Sequence, residues 1–470
     1  MTVLRPYQTK NVNEILACLE RGEDPLYVLP TGGGKTTVFT SVIGTTLSQG
    51  WESCVFVHRK ELLRQASARL TAEGIEHGVI MPGFDLTSHK VHVASIDTVG
   101  ARFDSLSHWL ERLDLAIPDE AHHSVANKWD RVLQLPQRRF GNTATPCRTD
   151  GMGLGETGLF KRMIRGPSPK ELIKMGFLAP GIVYAPPTGL DLSKVGKRGG
   201  DYVLSQIAAL TDTDELTLIA RRWYAKMCPG QPAVVFCTTV EHAKRVAQAF
   251  AAAGWRAASV DGKMSPAERD AAIIGLADGL VQVLTSCELI GEGLDIPAVS
   301  AVIDLRPSIS TGLVLQHDGR AARPHEDKSH WTKIDLVGNT ARHGMFDADR
   351  QWDLRSGIRG LERVVAATWR CRKCFRVWER PDQFSAMSCT CGSTQTVSGI
   401  APARVDVMPG INGVSADTLH RMKLKDAVKV CKTLDDYKSL GRIKGYKPGW
   451  ATYAYEQVIS YRARFKRRAY

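Results

Sequence analysis

Leu29-Pro30-Thr31-Gly32-Gly33-Gly34-Lys35-Thr36 follows an apolar run, Pro25–Leu29, and opens a helical pattern. Strand, glycine-rich turn and helix in that order make a cradle for phosphate. Glycines at 32, 33 and 34 tolerate the backbone angles that turn N–H groups inward around phosphate oxygens, and the helix N-terminus adds partial positive charge. Thr31 leads into this turn. Lys35 reaches the β- and γ-phosphates, and Thr36 offers its hydroxyl to Mg2+. The strict G-x-x-x-x-G-K-[ST] pattern asks for glycine at position 29, where this chain has Leu29. A plain glycine-rich turn before an ordinary helix is the bland alternative, and the strand, loop and helix context speaks against it.

Working outward, the same unit recurs. Short runs rich in β-branched residues, each followed by a helical pattern, occur at Ser53–His58, Val91–Ala94 and Leu113–Ile117, then again at Ala233–Cys237, Val281–Thr285 and Ala301–Leu305. Strands alternating with helices imply α/β architecture with parallel sheets covered on both faces. The series runs twice, broken near 181–200 by Pro186-Pro187, Gly189 and Lys197-Arg-Gly-Gly200. A lobe is therefore expected over 1–180 and a second over 181–345. Beyond 345 the rhythm stops, leaving a cysteine-rich module over 346–400 and a basic, helical region over 401–470.

Asp119-Glu120-Ala121-His122 stands just past the run Leu113–Ile117, where a strand would end at the carboxyl edge of a sheet. Adjacent carboxylates there divide the labour: Asp119 holds Mg2+, and Glu120 orients and deprotonates the water that attacks the γ-phosphate. Acidic pairs usually decorate solvated surfaces. A phosphate cradle 85 residues earlier makes this pair informative. Pro118 cannot donate to a sheet ladder, so the strand is expected to end a residue early.

Net charge is +13 with a pI near 9.2, which points to an anionic partner. Residues 401–470 hold fifteen Lys/Arg against six Asp/Glu, and so carry +9 of that charge. No run reaches the ~18 apolar residues of a membrane span, and the start lacks the apolar core of a secretion signal. The sequence is thus expected to be cytoplasmic, without membrane contact.

In its ordered motifs the chain resembles the DEAD/DEAH-type superfamily 2 helicases, within them the RadD-like and phage-borne group, over about residues 1–345. P-T-G-x-G-K-T is the form that group uses for its cradle, which accounts for Leu29. Leu4-Arg5-Pro6-Tyr7-Gln8 looks like the Q-type motif, implying that Arg5 and Gln8 contact adenine. Val57-His58-Arg59-Lys60-Glu61-Leu62 and Ala94-Ser95-Ile96-Asp97-Thr98 resemble motifs Ia and Ib, which grip the nucleic-acid backbone. Gly141-Asn142-Thr143-Ala144-Thr145-Pro146 resembles motif III, which couples hydrolysis to strand movement. Val235–Ala243 is similar to motif IV and Gly291–Pro297 to motif V, with Gly293 and Asp295 implied in nucleotide binding. Gln316-His-Asp-Gly319-Arg320-Ala-Ala-Arg323-Pro324 fits motif VI, implying that Gln316 meets nucleotide and that Arg320 and Arg323 are arginine fingers.

The resemblance implies two RecA-like lobes and an ATP-dependent motor on nucleic acid, with DNA favoured over RNA, acting as a monomer in repair, recombination or phage replication. A small-molecule kinase or switch GTPase would explain neither a second lobe ending in an arginine motif nor the two backbone-gripping segments. An RNA helicase stays open, because such lobes hold mainly phosphates and sugars. So does a nucleic-acid-binding scaffold whose ATPase has decayed, hinted at by Pro118.

Seven of eleven cysteines are scattered singly, while Cys371-x2-Cys374 and Cys389-x-Cys391 form two close pairs separated by fourteen residues. Four thiolates could hold a structural, tetrahedral Zn2+. C-x-C in the second pair departs from the usual C-x-x-C, and unligated thiols or a redox pair are the alternatives. Further on, Lys444-Gly-Tyr446-Lys-Pro-Gly-Trp450-Ala-Thr-Tyr453-Ala-Tyr455 mixes cations with aromatics, as does Tyr461–Tyr470. Bases could stack there while cations neutralise phosphates. Trp450, Tyr453 and Ala454 also sit at helical spacing, which favours a small packed core for Trp450.

Overall fold

A computed structural model describes residues 2–124, 127–147, 153–287, 296–354, 357–359, 368–379, 386–396 and, towards the C-terminus, 419, 422, 424–444, 446 and 449–456. Residues 1–402 and 403–470 form two separate units.

The first unit contains the two lobes. In lobe one, parallel strands lie in the order Gly78–Ile80, Val91–Ser95, Ser53–Val57, Leu115–Pro118, Arg138–Arg139, and a three-stranded group runs Gly141–Thr143, Pro25–Val28, Arg162–Arg165. A parallel bridge between Asp119 and Asn142 joins the two groups. Val55, Phe56, Val93, Ile117 and Leu26 are fully buried, as strands covered on both faces require. Proline does not shorten its strand. Pro118 pairs in register with Phe56 as the last residue of strand Leu115–Pro118. The donors of Leu115 and Asp119 face the Ser53–Val57 side, meeting the carbonyls of Glu52 and Phe56. By alternation, the donor that Pro118 lacks would point the other way, into the seam between the two strand groups.

Lobe two is a parallel sheet ordered Ala257–Val260, Val283–Ser286, Ala233–Phe236, Ala301–Asp304, Trp331–Asp335, Gly181–Tyr184. Gly181 thus begins a strand of this second sheet. Its helices carry explicit start signals: Thr239 caps Val240–Ala252 through the His242 N–H at 3.0 Å, and Ser265 with Glu268 makes a reciprocal capping box on Pro266–Ala277. Within 181–200 the chain also begins a hairpin, Lys197–Arg198 against Asp201–Tyr202, turning through Gly199 and Gly200.

The cysteine segment does not stand apart from this sheet. Strands Thr368–Arg370 and Arg376–Glu379 form an antiparallel hairpin, and the second pairs antiparallel with Gly181–Tyr184. Phe375 sets its ring edge-on to Trp223 at 6.0 Å. Among the described residues, no helix is long and apolar enough to cross a membrane.

In the second unit, helices Leu424–Val430 and Leu434–Ile443 and a helical segment 450–456 enclose a core of Ala427, Cys431, Tyr437, Leu440 and Ala451. Trp450 packs against this core, close over Gly441, while Tyr453 is 64% exposed. The second cation and aromatic run, Tyr461–Tyr470, lies outside the described residues.

Candidate functional site: an interlobe cleft

Helix Lys35–Ser48 begins at Gly34, whose φ of 89° only glycine adopts without strain. That start aims the glycine turn across the carboxyl edge of the first sheet. Lys35 Nζ donates to the Leu29 carbonyl at 3.4 Å and stands 3.9 Å from Glu120. Asp119 Oδ1 accepts from Asn142 Nδ2 at 3.0 Å and from the Glu120 N–H at 3.1 Å. Both carboxylates are buried. Burial first, and the Glu120 charge second, push the Asp119 carboxyl up to about 6 against the pull of Lys35. Lys35 offsets only part of the charge of two acids packed this tightly, and a dication beside the Thr36 hydroxyl would supply more.

The opposite wall comes from lobe two. A cleft of about 620 Å³ is lined on one side by Thr31, Gly32, Gly34, Lys35, Thr36, Asp119 and Glu120, and on the other by Arg320, Arg323 and Pro324. Helix Thr311–Ala321 carries Arg320, and Arg323 follows it. A Cβ at Gly319 would lie 2.6 Å from that of Thr31, so only glycine lets this helix approach the cradle so closely. The helix is seated by a buried cluster: Lys333 Nζ donates to Asp318 at 2.7 and 3.0 Å and pairs with Asp304 at 3.1 Å, and His317 stacks on Phe236 at 3.5 Å. Burial pushes the Arg323 guanidinium down to about 10, which still leaves it charged at neutral pH. Lys328 donates to the carbonyls of Pro297, Val299 and Ala321 and so braces the turn behind the two arginines.

Arg5 also lines the cleft, its guanidinium 4.0 Å over the Phe177 ring. Gln8 sits beneath the glycine turn: its Oε1 accepts from the Arg5 N–H at 2.9 Å and its Nε2 donates to the Gly33 carbonyl at 3.4 Å. Gln316 is buried in its helix and is not among the lining residues. Gly293 and Asp295 lie outside the described residues. No motif announces Phe177, and sequence reading missed it. Lys333, in the strand Trp331–Asp335, was missed as well.

The four cysteines converge: all their sulfurs lie within 4.8 Å of one another, with Cys371 to Cys391 at 3.7 Å and Cys374 to Cys389 at 3.4 Å. A zinc tetrahedron with bonds of about 2.3 Å has edges of about 3.8 Å, so this donor set fits the ion. All eleven cysteines are free of disulfides.

Comparison with known proteins agrees with this geometry. The family described as the type III restriction enzyme res subunit matches residues 1–148, and the helicase conserved C-terminal domain matches 217–325. A 51.5 kDa protein of a Lactococcus phage is 32% identical over 74% of each chain. "Putative ATP-dependent helicase IRC3" of Saccharomyces cerevisiae is 27% identical over 72% of this chain, which spans only 52% of that protein. Among solved structures, the ATP-dependent Type ISP restriction-modification enzyme LlaBIII bound to DNA superposes with a TM-score of 0.55 at 16% identity, covering 74% of this chain and 29% of that one. With two lobes meeting at a phosphate cradle, both family matches and a phage relative aligned over most of its length, the chain belongs to the superfamily 2 helicases, as an ATP-hydrolysing member of a phage-associated type.

Proposed function

We propose that this chain is an ATP-driven DNA translocase or helicase serving repair, recombination or phage replication. The carrying observation is the single cleft that holds Lys35, Asp119 and Glu120 on one wall and Arg320 and Arg323 on the other. In this reading Lys35 and the N–H groups of Gly32 and Gly34 hold the phosphates, the Gly33 N–H closing the turn on the Pro30 carbonyl at 3.0 Å, with Arg5 over the base. Thr36 and Asp119 would hold Mg2+, which would supply positive charge against the phosphates. Glu120 activates the attacking water. Arg320 and Arg323 meet the charge that develops on the transferred phosphoryl group, and they do so only when the lobes are together. Hydrolysis is thereby tied to lobe movement.

Segments 58–60 and 95–98 follow the adjacent, paired strands Ser53–Val57 and Val91–Ser95, so they share one edge of lobe one. We assign the nucleic-acid backbone to that edge. Support for DNA comes from the restriction-modification neighbour, whose structure is described as DNA-bound. Phosphate release measured with single-stranded DNA, duplex, fork and RNA tests the assignment: stimulation by a DNA form above RNA is expected, and equal or greater stimulation by RNA would replace it with RNA remodelling. Turnover that ignores every nucleic acid would leave the scaffold reading.

For the extension we assign residues 346–400 as a structural zinc module and 401–470 as a nucleic-acid-binding region. Elemental analysis should find one zinc per chain, lost when Cys371 and Cys374 are both changed to serine. A metal-free wild-type protein would leave the cysteines as plain thiols. Removing 401–470 takes away +9 of charge. DNA affinity should fall and the slope of log K against log salt should flatten by roughly 0.9 for each lost phosphate contact. An unchanged slope would make this region a packing or protein-binding unit.

A further inference from the structure

Three imidazoles connect, ring to ring, the edge of lobe one assigned above to nucleic acid with Glu120. His58 follows strand Ser53–Val57, and its ring centroid lies 4.1 Å from that of His123. His123 lies 4.2 Å from His122. His122 Nδ1 is 3.4 Å from Glu120 Oε2 and 3.2 Å from Thr143 Oγ1.

The backbone explains why side chains must make this connection. Main-chain pairing between the two strands ends where the Asp119 N–H meets the Phe56 carbonyl at 3.0 Å. Past that point the segments part. Arg59 starts helix Lys60–Ala72, whereas Glu120 turns back with φ of 51°, a left-handed conformation that strains a non-glycine residue. The turn folds Ala121–His123 back over the strand ends and places the His123 ring between the other two. Rings at 4.1 and 4.2 Å are in contact, so a shift of His58 cannot leave His123 and His122 in place.

We propose that His123 is a positioning residue that carries the placement of the His58–Lys60 segment to Glu120, so that occupancy by nucleic acid sharpens the aim of the water-activating carboxylate. This rests on the reading of Glu120 given above. The His123 ring meets the other two at tilts of 49° and 39°, contacts that a flat ring of similar size can keep. A misplacement of about 1 Å at a reacting group can cost about a hundredfold in rate, so even a fraction of that displacement is measurable.

The test compares basal and DNA-stimulated phosphate release in the full chain. His123→Ala should lower the stimulated kcat about tenfold, with DNA affinity and basal turnover within about twofold of wild type. His123→Phe, which keeps a flat ring, should restore most of the stimulation. In a His58→Ala background, His123→Ala should change the stimulation ratio no further, since contacts in one chain are not additive. Equal loss of basal and stimulated rates, unchanged stimulation, failure of the phenylalanine variant to restore it, or additive effects would each overturn the proposal. A Lys35→Ala control separates this from the underlying reading: if that variant still turns over ATP, the cleft assignment fails whatever His123 does.

Discussion

Replacing Lys35 with alanine is expected to lower nucleic-acid-stimulated ATP hydrolysis by at least about a thousandfold, close to 4 kcal/mol of transition-state stabilisation. The partly buried ammonium lies between the Leu29 carbonyl and Glu120, on the rim of a turn whose backbone donors alone cannot offset γ-phosphate charge. Folding should survive, since the side chain emerges at the start of a helix whose core is formed by Val38, Phe39, Val42 and Ile43. Thermal melting would show a midpoint near that of the parent while phosphate release falls to background. Undiminished stimulated turnover would remove the cradle from the chemistry.

Arg323→Ala should act differently. The guanidinium lies on the far wall of the cleft, so nucleotide is expected to bind lobe one almost as before, with the KM for ATP within a few-fold. The chemical step should slow about a thousandfold, the lower end of what an arginine finger contributes. Equilibrium binding of a fluorescent ATP analogue together with single-turnover hydrolysis separates the two terms. Normal kcat at saturating ATP would return Arg323 to a structural role, one its burial beside Lys328 would also allow.

Much of this arrangement could be read before any coordinates. Two series of β-branched runs and helices specify two parallel-sheet lobes, because a strand buried on both faces has few residue types available to it. Lys35, Asp119 and Glu120 were legible from residue type and spacing, Arg320 and Arg323 only through the family resemblance, and the structure brings all five to one cleft. What stayed hidden depends on contacts between distant segments. Nothing near Phe177 marks it as the partner of Arg5, since that pairing exists only once the linker between lobes folds back on the first helix. The seat of the arginine helix, Lys333 with Asp318 and Asp304, joins three separate elements and has no local pattern. Pro118 misled for a simple reason: a proline in a strand removes one donor, and sequence does not say on which side that donor would have stood.

The hairpin bearing Cys371 and Cys374 has a role beyond holding its own loop. Strand Gly181–Tyr184 has Trp331–Asp335 on one flank and Arg376–Glu379 on the other. Strip that cover away and a bare ladder of amide and carbonyl groups faces water, a ready template for a second molecule. With zinc held as proposed, chelation or thiol oxidation would then first cloud the preparation, at concentrations where the intact protein stays clear and before ATP turnover slows. Light scattering during treatment with a chelator would register this as a lag that shortens with protein concentration.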